Sequence, residues 1–286
     1  ARKGIHTVIR ESSVTKFLSE NIKAITEGAS GVARHTSFCT DDVTAHDILE
    51  KGHLDHMVRL AIQHGVDPMT AIQMATLNGA EAYHIEDQVG SIAPGKDADI
   101  LLIDRPESFN VKTVISKGTM VFEDGVEKID FIPPARSQTI QKSIKLTSVS
   151  KNNFEYQVDQ RDGTVKVRTI KSVGPFVRKA KDVDLNVRNG IILPSVEKDV
   201  ALVSVIERYG INGNHSKGFI SGWGLKSGAI ATSASPDDNN IVVAGTNSED
   251  MALAVNELIR QGGGQIVVDN GKIISFLQLP IGGIVT

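Results

Sequence analysis

Cysteine is almost absent from this sequence. One residue, Cys39, is present among 286, so no disulfide can close within the chain and a metal site built only from thiolates is excluded. That usage fits a reducing cytoplasm, the expected location. Aromatic residues amount to 5%, too few for a base-stacking surface. The net charge of −3 lacks the basic excess that phosphate binding requires. Nucleic acid is therefore not expected as a partner. No apolar run approaches the roughly 18 residues of a spanning helix, so no membrane partner is expected either. There is no signal-peptide pattern and no initiating methionine; the opening "ARKGIHTVIRE" reads as the interior of a folded unit, and the expectation is a piece of a longer polypeptide. HExxH is absent, and the glycine-rich "GWGLKSG" (222–228) and "GGG" (262–264) lack the GxxxxGK[ST] or GxGxxG spacing of a phosphate loop. "GGG" reads instead as the end of a helix.

What is present describes a globular chain. Apolar residues make up 40% and charged residues 23%, enough for a sizeable core, and the length favours two domains over one. "GIHTVIRE" (4–11) is β-rich. "SSVTKFLSENIKAITEG" (12–28) carries apolar residues at 14, 17, 18, 22 and 25 and predicts a helix ending near Gly28. A second strand is expected over "ARHTSFCT" (33–40). Helices follow over "LDHMVRLAIQHG" (54–65) and "DPMTAIQMATLNGAEAYHI" (67–85), the latter with Asp67 as cap and Pro68 in the first turn. Strand–helix–strand–helix order predicts parallel α/β architecture with chemistry at the C-terminal ends of the strands.

Beyond residue 86 the pattern becomes β-rich. "DILLID" ends a turn-rich stretch (90–104), and "TVISKGTMVFEDG" (113–125) predicts a hairpin turning at Lys117-Gly118. "DFIPPARSQ" (130–138) is the linker candidate. From about 140 onward, strand-like runs ("NFEYQV", "TVKVRTI", "VALVSVIER") alternate with turns. One helix is expected over 247–263, capped by Asn247 or Ser248, and a closing hairpin turns at Asp269-Asn270-Gly271. The second half is therefore expected to be α+β.

The chemistry-bearing candidates begin with "SFCTDDVTAHD" (37–47), in which an apolar strand ends in Asp41 and Asp42. A strand-end carboxylate can hold a divalent cation and accept a proton from its water; equally, either aspartate can cap the following helix. On this segment alone, capping is favoured. His53 and His56 in "GHLDH" have the i, i+3 spacing that can ligate zinc when a third ligand faces it, but without an HExxH pattern a structural or substrate-side role is favoured. His46 and His64 read as solvent or packing residues, and Cys39 as a buried, inert thiol. "ASPDDNN" (234–240) reads as a polar loop.

Several separated stretches together resemble the amidohydrolase superfamily, and within it the adenine deaminases. "SFCTDD" followed by "GHLDHMVRLAIQHGVDPMTAIQMATLNGAEAYHI" is similar to the last strand and helices of the family's barrel. "GSIAPGKDADILLID" resembles its small β domain, and "GFISGWGLKSGAIATSA", "IVVAGTNSEDMALAVNELIRQGGGQIVV" and "LPIGGIV" resemble the C-terminal domain of adenine deaminases. The resemblance implies the C-terminal portion of a (β/α)8 metal-dependent hydrolase barrel (1–86), a small β-sandwich segment (87–135) and an α+β C-terminal domain (136–286).

It also implies hydrolytic deamination of adenine to hypoxanthine and ammonia, using one or two divalent ions, manganese or iron, with zinc as the alternative. Asp41 is implied as metal ligand and proton acceptor, with Asp42, Arg10 and Glu11 on the substrate side. The remaining ligands are implied to lie in a missing N-terminal half, and the intact enzyme to be a homo-oligomer acting on a small purine. The sequence departs from the family where Pro236 and Asn239 stand in "PDDNN", against the family's "HDSHN", and where Tyr209 follows "ER" in place of a histidine. Two alternatives stay open: a related amidohydrolase acting on another cyclic amide or amidine, and a non-catalytic fragment or assembly module.

Overall fold

The computed structural model describes residues 3–29, 31–130, 132, 140, 143–174 and 177–285. They fall into two compact units, Ala1–Pro133 and Pro134–Thr286. Of the expected linker 130–138, all but Asp130 and Ile132 lie outside the described residues. Both units mix helix and strand, as the sequence pattern requires.

Unit 1 opens with β1 (Thr7–Arg10), α1 (Leu18–Asn21), α2 (Lys23–Thr26) and β2 (Thr36–Cys39), followed by α3 (Ala45–Lys51), α4 (Leu54–Gln63), α5 (Pro68–Ala75) and α6 (Leu77–Ala82). β1 and β2 pair in parallel, with Thr7 opposite Thr36 and Arg10 opposite Cys39. Ile9 and Phe38 turn to one side and pack with Leu18, Ile22, Met57, Val58, Ala61, Ala71 and Met74 from the helices. Since side chains alternate along a strand, Val8, Arg10 and Cys39 face the other way, and all three are exposed. Cys39 is therefore not the buried thiol that its apolar neighbours suggested; it sits one residue out of phase with Phe38.

Three predicted elements are shorter than their patterns, each for a local reason. The helix expected from residue 12 begins at Leu18, because Ser12 Oγ accepts the N–H groups of Val14 and Thr15 and holds a turn there. β2 starts only at Thr36, after a 3-10 turn over Ala33–His35. The helix expected over 67–85 breaks at Thr76, whose hydroxyl donates to the carbonyl of Ile72 and whose backbone leaves the helical region. Its start is as expected: Asp67 accepts from the N–H of Thr70, and Pro68 occupies the first turn.

The rest of unit 1 is a four-stranded antiparallel sheet of β3 (Ile100–Ile103), β4 (Val111–Ser116), β5 (Thr119–Glu123) and β6 (Val126–Glu127) in sequential order. The β4–β5 turn falls at Lys117-Gly118, both at positive φ, as a tight hairpin turn demands. Ile103, Phe109 and Val111 pack into the same core as the helices.

Unit 2 carries a ten-stranded sheet. Its strands are β7 (Tyr156–Gln157), β8 (Gly163–Ser172), β9 (Arg178–Arg188), β10 (Ile191–Ile192), β11 (Val200–Ile206), β12 (His215–Ser221), β13 (Ala229–Thr232), β14 (Ile241–Gly245), β15 (Gly264–Asp269) and β16 (Lys272–Gln278). All neighbouring pairs are antiparallel except β8 with β12. One helix, α7 (Ser248–Gln261), buries Met251, Ala254, Val255 and Leu258 in a core shared with Val200, Leu202, Ile241, Val243, Ile266 and Val268. Asn247 caps it by accepting from the N–H of Asp250, and Gly262 ends it in the left-handed region.

Candidate active site at the strand ends of unit 1

Parallel pairing brings the C-terminal ends of β1 and β2 side by side. There Arg10 Nη1 lies 3.0 Å from Asp41 Oδ2. The two side chains are 45% and 36% exposed, so the pair is held by geometry rather than by exclusion of water. Asp41 adopts φ 60°, a left-handed conformation that few residues other than glycine, asparagine or aspartate enter. On its other side the Arg10 guanidinium lies 5.8 Å from the centre of the Phe17 ring, within cation–π range.

Neither aspartate caps the next helix. Thr44 does, its hydroxyl accepting from the N–H of Asp47. Thr44 and Ser13 tie the two strand-end loops together: Ser13 Oγ accepts from Thr44 N at 2.9 Å, and Ser13 N donates to the carbonyl of Asp42. Asp47 bonds Lys51 at 2.6 Å, and that contact, reinforced by Ser13, lowers its carboxyl to about 2. The carboxylates of Asp41 and Asp42 are thus left out of the capping that their position alone suggested.

Glu11 is placed differently from Arg10. Its Oε2 accepts from Leu18 N at 2.9 Å, serving as cap to α1, while its own N–H donates to the carbonyl of Cys39 and extends the β1–β2 ladder. His53 Nε2 is 3.1 Å from Thr40 Oγ1, and its backbone N–H donates to Asp55. His56 is half-buried, and burial followed by the nearby Arg59 charge holds its pKa below the usual histidine value. His46 and His64 are exposed. Among the described residues, no three histidine, cysteine, aspartate or glutamate side chains gather as a metal site.

One contact on the Arg10 face escaped the sequence reading: His6 Nε2 lies 3.0 Å from Ser37 Oγ. Counting back in twos from Arg10 reaches His6, but the partner across the pair requires the register. Likewise, the departures at Tyr209 and Asn239 are neighbours in unit 2. The Tyr209 hydroxyl donates towards the carbonyls of Asp238 and Asn239, and the fully buried Arg208 donates to Asn239 O, Ser143 Oγ and Gly282 O. In the same unit Glu207 accepts four backbone N–H groups, from Tyr209, Ile211, Asn212 and Gly213. Burial opposes its charge, yet these bonds hold its pKa below the usual glutamate value. The loop 207–214 is organised around that carboxylate.

The two units match two different family descriptions. Residues 4–121 match the amidohydrolase family, and residues 176–286 match the adenine deaminase C-terminal domain. Each unit thus carries a segment similar to one of these families. Over its whole length the chain is similar to proteins named adenine deaminase. It is 59% identical over 285 residues to adenine deaminase 1 of Latilactobacillus sakei, covering 100% of this chain and 48% of that protein. It is 53% identical to adenine deaminase 1 of Desulfotalea psychrophila and 47% identical to adenine deaminase 4 of Rhizobium meliloti, with the same coverage. The chain spans about half the length of the curated relatives it matches. Among the described residues no helix is long and apolar enough to cross a membrane.

The amidohydrolase family implies a divalent metal. Asp41 fits such an ion in chemistry and position, being a hard oxygen donor, exposed, at the end of a parallel strand. It fits as one donor; among the described residues no group of three or more histidine, cysteine, aspartate or glutamate side chains that could hold an ion forms around it.

Proposed function

We propose that this chain is the C-terminal part of a metal-dependent enzyme that hydrolyses adenine to hypoxanthine and ammonia in purine salvage. The observation that carries the reading is Asp41. It stands at the C-terminal end of β2, left uncapped because Thr44 takes that task, in a chain 59% identical to a protein named adenine deaminase 1.

In this reading residues 1–86 are the last strands and helices of a (β/α)8 barrel, 87–135 a small β domain, and 136–286 an appended α+β domain. Asp41 is one metal ligand. A bound cation, manganese, iron or zinc, as one ion or two, would supply Lewis acidity towards water. Asp41 is also the group that accepts the proton of the hydrolytic water and passes it to the departing amine, a task for a carboxylate fixed on a rigid strand end. Asp42 and Arg10 face the substrate. Glu11 supports them by fixing the turn between Arg10 and α1. The other ligands belong to an N-terminal half, and the intact enzyme is a cytoplasmic homo-oligomer.

The test is ammonia release from adenine by the full-length protein with added manganese. Turnover supports the reading. Intact metal binding without turnover would assign the site to another cyclic amide or amidine.

A further inference from the structure

Arg10 raises a question that the proposed function leaves open. Asp41 is proposed as a cation ligand, yet in this structure a cation already rests on it: the Arg10 guanidinium, 3.0 Å from Oδ2. We propose that Arg10 is the counter-ion of Asp41 in the metal-free protein and competes with the divalent cation for that carboxylate. The inference rests on the reading of Asp41 as a ligand.

Three features support it. Arg10 and Cys39 are paired across the parallel strands, so Asp41, two residues beyond Cys39, lies within reach of an arginine anchored in the ladder. While it bonds Asp41 the guanidinium also lies 5.8 Å from the centre of the Phe17 ring, a contact that does not depend on the carboxylate. And the pair is partly solvated, at 45% and 36% exposure, so releasing it does not strand a buried charge.

Charge arithmetic fixes the direction. A divalent cation on one carboxylate oxygen and a guanidinium on the other sit about 5 Å apart, and even in water their repulsion is enough to change an affinity about tenfold. Arg10 therefore weakens metal loading at Asp41 rather than assisting it. It is a positioning residue: it keeps the unloaded carboxylate neutralised and oriented, and gives way when the ion arrives.

The test is titration of metal-free full-length protein with manganese(II), read as the dissociation constant and independently of turnover. Arg10→Gln, which removes the charge from an exposed position, is expected to bind manganese about tenfold more tightly. Arg10→Lys, which keeps it, is expected to stay within about threefold of wild type. Unchanged or weaker binding by Arg10→Gln overturns the proposal, as does equal tightening in both variants. Asp41→Asn is the control that separates the two claims. If it binds manganese as wild type does, the reading of Asp41 as a ligand fails; if it loses manganese while Arg10→Gln is unchanged, only the competition fails.

Discussion

The two units dispose of their charged side chains in opposite ways. In unit 2, among the described residues, ten strands form one sheet, one long helix covers part of one face, and two charged side chains are turned inward and satisfied: Arg208 by carbonyls and hydroxyls, Glu207 by four backbone N–H groups. In unit 1, among the described residues, β1 and β2 pair with each other, one face is packed by helices, and Val8, Arg10 and Cys39 on the other face are exposed in this chain. The groups suited to chemistry are on that uncovered face. Polar groups that are fully committed stabilise a fold, whereas a carboxylate left out of the caps and ladders is available to a ligand. The contrast teaches that Glu207, with the greater number of hydrogen bonds, is the poorer catalytic candidate, and Asp41, held by one partly solvated pair, the better one.

The largest expected effect sharpens this contrast from the side of unit 1. Removing metal from the full-length protein with a chelator should abolish ammonia release from adenine and added manganese should restore it, while amide exchange in β11 stays unchanged. Loss of protection in unit 2 on chelation would put the metal in the wrong unit.

Next comes a break in unit 2. Arg208→Met removes the donors to four oxygens, on Asn239, Ser143, Tyr209 and Gly282, from a fully buried side chain, so the intact protein should lose about 3 kcal/mol or more of stability in that unit. The readout is the urea dependence of exchange in β11 and β14. Stability within experimental error of wild type would show that the guanidinium is costing as much as it contributes.

A smaller break is available in unit 1. Asn78 is 2% exposed, donates to the carbonyls of Ala33 and Thr36 and accepts from Arg34. It fixes the start of β2 to α6. Asn78→Ala should cost about 2 kcal/mol and raise exchange at 36–39, a shift that an independent β2 would not show.

The smallest effect is one of pH. Burial pushes the Asp55 carboxyl up, but hydrogen bonds from His53 N–H and Arg59 outweigh it, and its pKa is held below the usual aspartate value. Its contribution is therefore fully present above the unfolded value of about 3.9 and is lost as the pH falls through the lower folded value. The stability difference between wild type and Asp55→Asn should shrink on going from about pH 5 to about pH 3. A constant difference would assign the effect of Asp55 to packing.

Much of the fold was legible because its signals are local. Asp67-Pro68 opens α5, Asn247 caps α7, and Gly118 and Asn270-Gly271 turn hairpins as residues whose chemistry favours positive φ. What escaped depends on choices between competing local bonds. Ser12 captures two N–H groups and delays α1, Thr76 splits one expected helix into α5 and α6, and Thr44 rather than either aspartate caps α3. Cys39 was misplaced because burial on a strand alternates while an apolar run does not reveal its phase. In the candidate site, Asp41 could be singled out as a candidate from the resemblance, but the Arg10–Asp41 pair could not, since it exists only through the parallel register that sets Arg10 opposite Cys39.

The most direct test of the central claim compares Asp41→Asn with Asp42→Asn in the full-length protein, measuring bound manganese and ammonia release from adenine together. The account predicts that Asp41→Asn loses manganese and at least about 10²-fold in turnover, while Asp42→Asn keeps its manganese. Near wild-type turnover and metal content in Asp41→Asn would contradict it.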